Sequence, residues 1–148
     1  MSKPITTGVV PNAVDRPSHY QTHPSGIEAI EVVRYMGFNL GNALKYLWRL
    51  GEKDGPYKNA KKALWYLVDE QNAMHPLRRM PNPEGCLLQN PLMQRVLATE
   101  PDKSVKEAMR YVYLAHITRD GYFYDQARIY LARIIAFHAL DIDKPIAA

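Results

Sequence analysis

The sequence predicts an all-α fold, a small helical bundle of about five helices. Apolar residues recur at three- and four-residue spacing through most of the chain, and no strand-like alternation stands out. Glycines, prolines and capping residues fall between the periodic stretches, where helices must begin and end.

Residues 1–24 carry Pro4, Pro11, Pro17 and Pro24 with no sustained period, and read as an irregular N-terminal arm. Ser25 and Glu28 form a capping-box pattern that opens a helix through Ile27, Ile30, Val33 and Met36 to a stop at Gly37. Two amphipathic helices follow, over 40–53 and 57–73, joined at Asp54-Gly55-Pro56. The first places Leu40, Ala43, Leu44, Leu47 and Leu50 on one side; the second has a stripe of Ala60, Ala63, Leu64, Leu67 and Val68. Together with the preceding helix they make one helical region, 25–73. Residues 74–103 are a proline-rich connector with one further short helix, capped by Asn90 with Pro91 in its first turn. A second capping box, Ser104 to Glu107, opens a helical hairpin over 104–148. Its first helix carries Val105, Ala108, Met109, Val112 and His116 on one face. Asp120-Gly121 breaks it, and Ala127, Leu131, Ile134, Ile135 and His138 are in register beyond the break. All these parts are expected in one compact domain.

The two hairpins look alike. Ala43-Leu44-Lys45-Tyr46-Leu47 corresponds to Ala108-Met109-Arg110-Tyr111-Val112, Asp54-Gly55 to Asp120-Gly121, and Tyr66-Leu67 to Tyr130-Leu131. An internal duplication packing as a four-helix unit accounts for this, and so does the general likeness of amphipathic hairpins. Arg49 corresponds to Leu114 and Trp65 to Ile129, so the first copy is expected to bind and the second to support it.

A chain of 148 residues buries about 68–70% of its unfolded surface on folding, enough for a core without disulfides or metals. The single cysteine, Cys86, fits a reducing compartment, and no apolar run approaches the ~20 residues that span a bilayer. A cytoplasmic protein without membrane association is expected. The net charge of +4 favours anionic partners. The sequence lacks a G-x-x-x-x-G-K-[ST] phosphate loop, G-x-G-x-x-G, H-E-x-x-H and C-x-x-C, so no metal site is assigned.

The candidate chemistry rests on cations, aromatic rings and a few carboxylates. On an ideal helix, Asn42, Lys45, Arg49 and Lys53 share an arc of roughly 80° opposite the apolar stripe. Trp65 points off its own stripe beside Lys61, as a platform for a flat anionic ligand or as a contact for a second subunit. Tyr46 and Tyr66 border the polar arcs. His19 and Tyr20 lie in a proline-flanked part of the arm dense in hydrogen-bonding groups. Glu28 and Glu31, one helical turn apart, are candidates for proton or metal handling, although Glu28 also has a capping role. His116 and His138 fall on apolar faces and read as core or interface residues.

These residues carry a resemblance. His19-Tyr20, Gly26-Ile27-Glu28, Gly41-Asn42-Ala43-Leu44-Lys45-Tyr46 with Arg49, and Lys62-Ala63-Leu64-Trp65-Tyr66-Leu67 stand in the order and spacing of a small phage-encoded family. Residues 16–70 resemble the domain of unknown function 3310 family. The resemblance implies a phage origin, a place in the host cytoplasm and work on nucleotides; one member of that family is a nucleotide kinase without a phosphate-binding loop. A P-loop-free deoxynucleoside monophosphate kinase using ATP and Mg2+ is the first expectation. Lys45, Arg49, Lys53 and Lys61 would hold phosphates, Tyr20, Asn42 and Tyr46 would orient the nucleotide, and Trp65 would meet the base or sugar. His19 or Glu28 would move a proton or hold the metal. The alternative is a non-catalytic protein that sequesters a nucleotide signal of host defence, using the same cationic pocket. A nucleic-acid partner is disfavoured because the strongest cationic cluster is confined to one hairpin. A homo-oligomer is the expected state.

Overall fold

The structure, a computed structural model, describes residues 23–73 and 89–142. Among them are six helices and no strand: α1 (Ile30–Val33), α2 (Phe38–Trp48), α3 (Pro56–Ala73), α4 (Pro91–Thr99), α5 (Lys103–Thr118) and α6 (Gly121–Ile142). The all-α bundle expected from the sequence is the fold observed.

Helix α1 is much shorter than its apolar spacing predicts. The Ser25 hydroxyl accepts from the Ile27 N–H at 3.0 Å, and the Glu28 N–H turns instead to the Glu31 carboxylate at 2.8 Å. The Ser25–Glu28 capping box is therefore replaced by a tight turn at His23–Gly26, where Gly26 has φ +73°, and the helix begins only at Ile30.

Helix α2 has Gly37 as its N-cap and ends at Trp48, five residues before the expected Lys53. Its end is set by Asn59 of α3. That side chain is 1% exposed, and its amide nitrogen donates to the carbonyls of Arg49, Leu50 and Glu52 at 3.2, 2.9 and 2.8 Å. Backbone acceptors left over at a helix end must find donors, and a buried amide supplies them here. Lys53 at φ +47° and Gly55 at φ +86° then turn the chain into Pro56, the first residue of α3. The Trp48 indole donates to the Ile27 carbonyl at 3.1 Å and ties α2 back to the start of the described chain.

Asn90 caps α4 as its sequence predicts, its Oδ1 accepting from the Met93 N–H at 3.1 Å with Pro91 in the first turn. Asp102, not Ser104, caps α5, accepting from Val105 N–H at 3.0 Å, which frees Glu107 to pair with Arg110. Helix α5 stops at Arg119, whose φ of +55° is the left-handed conformation of a C-terminal cap.

The hairpins α2–α3 and α5–α6 are each internally packed, α3 lies on α6, and α2 lies on α5. Leu44, Leu47, Leu67, Met109, Leu114 and Leu131 are fully buried where they meet, with Tyr124 among them. Each hairpin is also closed by a stacked tyrosine pair. Tyr46 and Tyr66 lie 5.9 Å apart at 11°, and Tyr111 and Tyr130 lie 5.8 Å apart at 17°. These are the pairs that the internal sequence correspondence aligns, so the likeness of the two halves extends to a specific contact.

Candidate functional site

Tyr46 is the centre of the cationic face. It sits on α2 between the buried stripe and solvent, with Tyr66 of α3 against one side of its ring. Three cations surround that ring. Lys45 Nζ lies 4.8 Å from its centroid, the Arg49 guanidinium carbon 5.0 Å and Lys62 Nζ 5.4 Å. Each is inside the ~6 Å range in which a ring quadrupole attracts a cation. The ring quadrupole thus offsets part of the repulsion among them.

The remaining strain shows in the protonation energetics. Burial holds the Lys45 ammonium below its ordinary pKa, and the charges of Arg49 and Lys62 push in the same direction. Lys62 is shifted upward by its hydrogen bond to Asp54 at 2.6 Å, which in turn lowers the Asp54 carboxyl. That pair is largely solvent-exposed, so it contributes little to stability. Arg49 is only 9% exposed, whereas helical-wheel reasoning places it on the solvated face; the early end of α2 turns it inward.

Beyond Tyr66 the surface is aromatic. The Trp65 ring meets Tyr66 edge-on at 5.2 Å and is 62% exposed; Phe38 meets Tyr66 edge-on at 5.8 Å. Trp65 therefore lies off the core as its spacing predicts. Two ring-to-ring steps, 5.2 and 5.9 Å, lead from Trp65 through Tyr66 to the ring that gathers the cations.

The expected residues divide. Lys45, Tyr46 and Arg49 come together on α2. Asn42 is beside them in sequence, but its amide donates to the Phe38 carbonyl at 2.7 Å. Lys53 leaves the helical arc because α2 ends before it, and it is exposed in the following loop. Lys61 is placed over Tyr57 at 5.2 Å, away from the Tyr46 ring. Glu28 is half-buried just before α1, and its backbone N–H donates to the Glu31 carboxylate. His19 and Tyr20 lie outside the described residues. Sequence reasoning missed Lys62 as a site residue, although its spacing four before Tyr66 puts both on one face of α3.

Arg49 also lines an open cleft of about 470 Å³, together with His23, Trp48, Glu52, Glu100 and His138. His23 is buried there, with Nδ1 2.9 Å from the Ser25 hydroxyl and Nε2 3.1 Å from Glu100 Oε1. His138, read from the sequence as a core or interface residue, is half-buried and lines this cleft. Among the described residues no three His, Cys, Asp or Glu side chains are grouped to hold a metal ion, and no helix is long and apolar enough to cross a membrane.

Comparison with known proteins bears on the same region. Residues 14–68 match the family model described as protein of unknown function (DUF3310). The resemblance to DUF3310 spans α1, α2 and most of α3, and so contains Lys45, Tyr46, Arg49, Lys62, Trp65 and Tyr66. It stops short of α4, α5 and α6. No curated protein and no solved structure matches the chain.

Proposed function

We propose that the α2–α3 hairpin binds a nucleoside phosphate, with phosphate oxygens on Lys45, Arg49 and Lys62 and the base on the Trp65–Tyr66 surface. The observation that carries this is the crowding of three cations around the Tyr46 ring, next to exposed aromatic surface. A phosphate would give Lys45 the counter-ion that it does not meet among the described residues, and the planar guanidinium of Arg49 suits its oxygens. An exposed indole is a platform on which any base can stack.

The activity proposed for the site is that of a P-loop-free deoxynucleoside monophosphate kinase working with ATP and Mg2+ in the host cytoplasm. The resemblance to DUF3310 supports it, as does the position of Arg49 between the cationic cluster and a cleft large enough for part of a second nucleotide. Magnesium keeps several waters and takes one or two carboxylates besides phosphate oxygens; Glu52 and Asp102 line that cleft and are of the right kind. The metal would neutralise phosphate charge during transfer, and this chain's cations would hold and orient the acceptor.

Incubating the protein with ATP, Mg2+ and each deoxynucleoside monophosphate, and resolving products by chromatography, tests the reading. The expected result is a deoxynucleoside diphosphate whose formation Lys45→Ala and Arg49→Ala abolish. Tight binding without turnover would instead assign the same cationic site to sequestration of a nucleotide.

A further inference from the structure

The internal likeness of the two hairpins can be read position by position around the stacked tyrosines. Lys45 corresponds to Arg110 and Tyr46 to Tyr111, and one turn earlier Asn42 corresponds to Glu107. In the second hairpin Arg110 lies 4.9 Å over Tyr111, as Lys45 lies 4.8 Å over Tyr46. Glu107 then completes the group: its Oε2 accepts from Arg110 Nε at 3.2 Å and from Nη2 at 2.9 Å. In the first hairpin the same position holds a neutral amide whose N–H bond goes back to Phe38.

We infer that Asn42 is the specificity-determining residue of the first hairpin: by withholding the carboxylate that Glu107 supplies in the second, it keeps Lys45 open to an anion from outside. In the second hairpin Arg110 already carries an anion of its own. Lys45 meets no carboxylate among the described residues, and the charges that act on it are those of two other cations. A carboxylate three residues before a lysine on a helix is within reach of it. Glutamate at position 42 would therefore occupy Lys45 as Glu107 occupies Arg110. The inference rests on the phosphate-binding reading of the Lys45–Arg49–Lys62 cluster but goes beyond it, because it assigns receptivity to a residue that need not touch the ligand.

The experiment compares wild type, Asn42→Glu, Asn42→Gln and Asn72→Glu by calorimetric titration with inorganic pyrophosphate. The Lys45 ammonium is titrated by NMR in each variant without ligand. Asn72 is exposed at the far end of α3 and controls for the added charge. Asn42→Glu should weaken pyrophosphate binding by about tenfold or more, while the Gln and Asn72 variants stay within about twofold. Lys45 should titrate at higher pH in Asn42→Glu alone, a shift that a merely structural effect would not produce. Pyrophosphate affinity unchanged in Asn42→Glu, or an unmoved Lys45, overturns the inference. A wild-type chain that ignores pyrophosphate overturns the phosphate-binding reading itself, and the Lys45 titration then decides the pairing alone.

Discussion

Tyr46 and Tyr66 stack at 5.9 Å with their rings 11° from parallel, and this contact joins the cationic helix to the aromatic one. Three cations reach the Tyr46 ring and two edge-on aromatics reach Tyr66, so the pair is the hinge on which the candidate site is assembled.

Tyr66→Leu should keep the fold and loosen the site. An aromatic pair contributes about 0.5–1.5 kcal/mol beyond its burial. The α2–α3 hairpin should melt earlier by that order, and nucleotide affinity should fall by more than stability does. Tyr66→Phe keeps the stack and should retain both. Thermal melts beside ligand titrations read the two effects separately.

Arg49→Ala should cost stability as well as binding. A side chain only 9% exposed is no surface substitution, and its removal is expected to cost about 1–3 kcal/mol. Arg49→Lys should recover most of the stability but not the affinity, because an ammonium lacks the bidentate fork. Urea denaturation and calorimetry on both variants check this.

Asn59→Asp should be at least as damaging as Asn59→Ala. Either change leaves the three carbonyls at the end of α2 without their shared donor, for a loss of about 2–3 kcal/mol, and the acid adds an oxygen facing oxygens. Chemical denaturation should place both variants well below wild type.

His116 gives a pH signature. Burial, and then the charge of Arg119, hold its pKa below the ordinary value. The unfolded chain therefore takes up this proton first, so the stabilising contribution is complete above about pH 7 and declines as pH falls through the ordinary histidine range toward the lower folded value. Stability curves from pH 7.5 to 5 should be flatter for His116→Gln than for wild type. A wild-type curve that rises on acidification over that range would contradict the sign.

The periodicity of the sequence made the six helices and most of the core legible, because one apolar stripe per helix is a local property. Helix ends were less legible. Ser25 and Ser104 each begin a capping-box pattern, yet Ser25 accepts from Ile27 while Glu31 takes the Glu28 N–H, and Asp102 caps α5. The end of α2 depends on Asn59, ten residues from Arg49, and no pattern within α2 announces it. That early end takes Lys53 out of the helical arc, and Arg49, at the C-cap of α2, is buried. Lys62 enters because α3 packs with Tyr66 on Tyr46, a pairing that becomes visible only when the helices are set together. The correspondence of Tyr46 with Tyr111 and Tyr66 with Tyr130, by contrast, was readable from the sequence and recurs as two stacked pairs.

The proposed function places a nucleotide's phosphate on the Lys45–Arg49–Lys62 cluster of the first hairpin. The most direct measurement is side-chain NMR of the lysine and arginine groups during titration with a deoxynucleoside monophosphate. Phosphate binding at this cluster should give saturable shifts at Lys45, Arg49 and Lys62, with Arg110 and Arg133 of the second hairpin unmoved. Shifts confined to Arg110 and Arg133, or none at Lys45 and Lys62 at saturating nucleotide, would contradict it.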